Sequence, residues 1–76
     1  MIPLELLCHG EWAEIADVLG ESSWVSRLAE LGLRAGSRFQ MIQPGSPCLL
    51  QLGNARLSVR TDGAMSVWVR LVGIAD

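Results

Sequence analysis

Four side chains near the amino-terminal end could hold a metal ion: Cys8, His9, Glu11 and Glu14. A thiolate beside an imidazole suits Zn²⁺ or Fe²⁺, and carboxylates can complete such a shell. The spacing matches neither a CxxC nor an HxxxH motif, so it leaves the metal ligands unknown and weak Fe²⁺ or Zn²⁺ binding as one alternative. Cys8 and His9 are also the one adjacent pair that could serve as nucleophile and base. Neighbours in an extended chain point to opposite faces, so the two cannot easily act together. The chain has one histidine, no tyrosine, no phosphate loop and no HExxH string. These observations predict a protein that is not an enzyme. Cys8 is expected to pack with the leucines that precede it. Cys48 falls on the inward phase of its segment and reads as a small core hydrophobe.

The remaining chemistry is contact. Trp12 and Trp68 both fall on the outward phase of strand-like segments. They are either interface anchors or covers for an open barrel end. Trp24 shares a helical stripe with Leu28 and Leu31 and belongs with the core. Charge is divided along the chain. Residues 1–30 carry Glu5, Glu11, Glu14, Asp17, Glu21 and Glu30 against Arg27. Residues 31–76 carry Arg34, Arg38, Arg56, Arg60 and Arg70 against Asp62 and Asp76. There is no lysine. A guanidinium binds carboxylate or phosphate in a fixed fork, so the second half could present a basic face, or simply a solvated and internally paired surface. An isoelectric point near 5.2 argues against a nucleic-acid-binding barrel, which would show a strongly basic footprint.

The elements that must position these residues are short. Seventy-six residues make one domain, 1–76, with a core at about 4–71. The hydrophobic fraction of 50% is ample for a core. No apolar run approaches the roughly 20 residues needed to cross a bilayer, and no basic, apolar leader is expected at the start. Two cysteines do not make a disulfide scaffold, and a reducing cytoplasm is expected. Leu4, Leu6 and Leu7 read as a lead-in that packs on the barrel. Ala13 and Ile15 alternate with Glu14, after which Val18 is out of phase, so a bulge or a sharp bend is expected near Asp17. Gly20 and Glu21 end that strand, and Ser22 or Ser23 is expected to cap a helix that runs to about Leu31.

Phe39 and Met41, with Ile42, mark a second strand, followed by the turn cluster Pro44-Gly45-Ser46-Pro47. Cys48, Leu50 and Leu52 alternate in a third. Gly53-Asn54 reads as a two-residue hairpin loop in which both residues tolerate positive φ. Ala55, Leu57 and Val59 face inward in a fourth, with Arg56, Ser58 and Arg60 outward. A 3₁₀ turn is expected over 61–64. Val67 and Val69 face inward in the last strand. The reading is a mainly β protein, a small, partly open five-stranded barrel with one short helix between the first and second strands.

The most particular string is Leu28-Ala-Glu-Leu-Gly-Leu-Arg-Ala-Gly36. Gly32 stands where a helix stops in the left-handed conformation, and Leu33 can fold back onto Leu28 in a Schellman ending. The string resembles the signature of the FeoA family (ferrous iron transport protein A). The resemblance extends from about Leu4 to Leu71, through Ala13-Glu14-Ile15, Leu28 to Gly36, the Pro/Gly loop 44–47 and Ala55 to Arg60. The chain departs from the pattern at Gly63, where an acidic residue is common, and in a shorter Pro/Gly loop.

The resemblance implies an SH3-like domain in the cytoplasm, peripheral to the inner membrane through its partner and not inserted in it. It implies an accessory or adaptor role in ferrous iron uptake. The partner would be the ferrous iron transporter, whose cytoplasmic portion includes a GTP-binding domain. The expected contact residues are Trp12, Leu31, Gly32, Leu33, Arg34 and Trp68; for the helix end, plain structural capping is the competing reading. Alternatives are a transition-metal-binding regulatory domain and a nucleic-acid-binding SH3-like barrel. The oligomeric state stays open.

Overall fold

The computed structural model describes residues 1–61 and 65–72. Six antiparallel strands form one open, SH3-like sheet: β1 Ile2–Pro3, β2 Trp12–Leu19, β3 Arg38–Gln43, β4 Cys48–Leu52, β5 Ala55–Val59 and β6 Ser66–Leu71. Their spatial order is β1-β6-β2-β3-β4-β5. The helix α1, Ser22–Glu30, lies between β2 and β3. The five expected strands are present. The sixth, β1, pairs Ile2 with Val69 and Pro3 with Trp68, and two residues are too few to show a period. The 3₁₀ turn expected over 61–64 falls outside the described residues.

Period-2 patterning sets the core. Ala13, Ile15, Phe39, Met41, Leu50, Val67 and Val69 are all 0% exposed. The phase slip after Ile15 is a bulge: Ile15 faces Val69, yet Asp17 faces Trp68 one step on. The extra residue, Ala16, returns Val18 to a position opposite Val67, packed against the core. A second shift between Met41 and Gln43 leaves Ile42 half-buried.

Several expectations are corrected. The lead-in forms a 3₁₀ turn, Leu4–Leu6. With three residues per turn, Leu4 and Leu7 eclipse each other and are buried, while Leu6 points away at 64% exposed. The helix cap is Glu21, not Ser22 or Ser23, and its side chain makes no capping bond to the backbone; it accepts a hydrogen bond from Ser23 Oγ at 3.4 Å. Leu31 leaves the Trp24–Leu28 stripe because the helix has ended, and it is 51% exposed. In the β4–β5 hairpin only Gly53 has positive φ, +61°, which is the pattern of a type II′ loop. Ala55, beside that loop on the last strand of the sheet, is exposed.

Candidate functional site

The outer face of β2 and β6 is built by register. Outward positions on β2 are Trp12, Glu14 and, past the bulge, Asp17. Their neighbours are Arg70 and Trp68 on β6 and Val72 just past its end: the Val72 N–H donates to the Trp12 carbonyl at 3.1 Å, Glu14 faces Arg70, and Asp17 faces Trp68. The two tryptophans therefore flank an ion pair, Glu14 Oε2 to Arg70 Nη1 at 3.8 Å. Four residues of strand separate the Trp12 and Trp68 levels, roughly 13 Å. At that length and exposure the ion pair is worth about 0–1 kcal/mol and serves to order the face rather than to hold the fold. Trp12 is 38% exposed and Trp68 half-buried.

Beside Trp68 opens a groove of about 430 Å³, lined by Met1, Asp17, Leu19 and Trp68. Met1 is 76% and Leu19 48% exposed, so this is apolar surface facing solvent with one carboxylate in it. Asp17 also lines a second cleft of about 200 Å³ with Val18, Val25, Ala29, Leu33, Arg34 and Ala35. Asp17 is the one residue that the groove at Trp68 and the cleft at the helix end share.

The helix end has the full Schellman pattern. The Gly32 N–H donates to the Ala29 carbonyl at 3.0 Å, and the Leu33 N–H to the Leu28 carbonyl at 2.8 Å. Gly32 has φ +100°, and its carbonyl accepts from Ser37 Oγ at 2.5 Å. Leu33 is carried inward and is 0% exposed; its side chain therefore belongs to the core. Leu31 and Arg34 stay on the surface. A Cβ on Gly32 would stand 3.0 Å from Leu52 Cδ2 and would hold a left-handed backbone costing about 1–2 kcal/mol. Gly32→Ala is expected to lower the denaturation midpoint by about 5–15 °C, read by circular dichroism.

Cys8, His9, Glu11 and Glu14 do not converge. Glu11 Oε1 accepts the Cys8 backbone N–H at 2.6 Å, and Glu14 faces Arg70. Among the described residues no three His, Cys, Asp or Glu side chains are grouped to hold a metal ion. Cys8 is exposed, not packed with the leucines; Cys48 is buried, and its thiol donates to the Val59 carbonyl at 3.5 Å. Burial pushes the Cys48 thiol above its usual value, and the Glu5 carboxylate adds to the rise. A pKa raised in the folded state means that this part of the stability is complete below the unfolded thiol pKa of about 8.5 and is lost as pH climbs through the higher folded value. At pH 8 a thiol reagent is expected to label Cys8 within minutes and Cys48 only at the rate of unfolding; equal rates would contradict the burial.

The sequence pattern puts Trp12 and Trp68 on the outward strand phase and ends the helix at Leu31–Leu33, as the structure has them. It missed Met1 and Leu19, whose meeting at Trp68 follows from β1–β6 and β2–β6 pairing and leaves no local signal.

A family model, the FeoA domain, matches residues 2–71. Among curated proteins nothing matches. Among solved structures, a crystal structure of an iron uptake regulatory protein (FeoA) is similar, with a TM-score of 0.73 and 20% identity. The match covers 91% of this chain and 97% of that one.

Proposed function

The chain belongs to the FeoA domain family, and from that premise we propose that it is an accessory protein of ferrous iron uptake that works by docking. Its partner is the cytoplasmic GTP-binding portion of the ferrous iron transporter, and it modulates nucleotide turnover or gating by favouring one conformation of that partner. This places it in the cytoplasm, at the membrane only through the partner; among the described residues no helix is long and apolar enough to cross a membrane. The observation that carries the reading is the apolar groove at Trp68, Met1 and Leu19, which shares Asp17 with the cleft bearing Arg34. Together they present exposed apolar side chains, a tryptophan and an arginine, the residue types that dominate binding energy at interfaces.

The test is an amide-shift titration of labelled protein with the transporter's cytoplasmic domain, with and without guanine nucleotide. Shifts centred on Leu19, Trp68 and Leu31–Arg34 are expected. Shifts confined elsewhere would refute this surface, and none at high concentration would refute docking on that domain.

A further inference from the structure

Strand β5 ends the sheet. It pairs with β4 from Leu52↔Ala55 to Cys48↔Val59, and among the described residues no backbone hydrogen bond reaches its other side. The two-residue hairpin fixes which groups are left over. The flanking pair, Leu52 and Ala55, exchanges hydrogen bonds, and such pairs then alternate. Arg56 and Ser58 therefore turn their N–H and C=O groups to the open edge. The side chains on that strand's outward phase are Arg56, Ser58 and, one residue beyond the strand, Arg60, all exposed. Arg56 Nε donates to Gln51 Oε1 at 3.0 Å, and neither guanidinium has a carboxylate partner among the described residues.

We propose that this edge is a second interaction site, separate from the Trp68 surface, which takes an acidic, extended segment of a protein partner as a seventh strand. The backbone of Arg56 and Ser58 supplies the hydrogen bonds, and the side chains of Arg56 and Arg60 select glutamate or aspartate at alternate positions of the incoming strand. A second copy of this chain does not fit. Antiparallel pairing of β5 with itself sets Arg56 opposite Arg56, Ser58 or Arg60, so arginines from both copies crowd one face, and like charges across strands repel. The same arginines that guard the edge against self-association leave it open to a strand of opposite charge.

The probe is a blocked octapeptide of alternating glutamate and valine, titrated into labelled protein at physiological salt. Saturable amide shifts are expected at Arg56 and Ser58, with at least about tenfold slower hydrogen exchange there. A fully N-methylated copy, equal in charge but without N–H donors, is expected not to bind, and neither is the lysine–valine peptide. The double variant Arg56→Glu, Arg60→Glu, changed only at exposed positions, should bind the acidic peptide about tenfold more weakly and accept the lysine peptide. Equal binding of the N-methylated copy would reduce the site to diffuse charge and overturn the proposal. So would shifts around Trp68 instead of β5, no shifts at millimolar peptide, or tighter binding of oligothymidylate to Arg56 and Arg60. Docking of the transporter's domain at the Trp68 surface fails or stands by its own titration.

Discussion

Leu33→Ala is expected to cost about 2–5 kcal/mol, while Leu31→Ala, two residues earlier in the same string, stays within about 0.5 kcal/mol. Leu33 is 0% exposed and Leu31 is 51% exposed. The difference comes from Gly32, which reverses the backbone so that the residue after it returns to the core beside Leu28. A domain of this size holds about 4–11 kcal/mol in all, at 0.05–0.15 kcal/mol per residue. Losing the Leu33 side chain removes a large share of that, and a midpoint drop of about 10–30 °C is expected. Thermal and urea denaturation measure it. Equal midpoints for the two variants would mean that Leu33 does not occupy the core. The contrast also separates stability from docking. Leu31→Ala tests the surface with the fold intact, whereas any loss of binding by Leu33→Ala would follow from unfolding.

Trp68→Ala is expected to weaken binding to the transporter's GTP-binding domain by about thirtyfold or more, the effect of losing about 2 kcal/mol at a central anchor. Trp68 is the one aromatic side chain that lines the groove. It walls the groove with Met1, Asp17 and Leu19, and Asp17 continues into the cleft bearing Arg34. Its side chain leaves the core untouched, because the inward residues on either side, Val67 and Val69, fill that space. The far-ultraviolet spectrum should therefore match that of the parent, and Val67→Ala should show the reverse pattern, with loss of stability first. Glu14→Gln removes half of an exposed 3.8 Å ion pair and should change stability by less than about 1 kcal/mol. Calorimetric titration of each variant decides the assignment; an unchanged affinity for Trp68→Ala refutes it.

What could be read from the residues was whatever leaves a local period or a backbone requirement. The β2 bulge announced itself because Val18 falls out of step with Ile15. The Schellman ending was legible in Gly32 and Leu33 because few residues accept the left-handed conformation. The errors came where geometry changes within a residue or two. Leu6 reads as packing on the barrel with Leu4 and Leu7, although a 3₁₀ turn rotates it a third of a turn from both. Leu31 was added to the helix stripe one residue after helical geometry had ceased. The groove at Trp68 and the place of β5 at the end of the sheet left no trace in the sequence. Both depend on strand order, and the neighbours β1, β6 and β2 come from opposite ends of the chain.

That strand order governs how the domain can assemble. Ile2 pairs with Val69, and Ile15 pairs with the same residue from the other side. The two earliest strands thus wait for the last one, which enters between them. A growing chain can close the local hairpin of β4 and β5 early, but Leu4, Leu7 and Ile15 have no complete cover until β6 leaves the ribosome. Sheets whose central pairings span most of the chain fold slowly, because loop entropy is spent before those contacts form. Folding is thus expected only once β6 has been made, and the growing chain must hold its early leucines exposed until then.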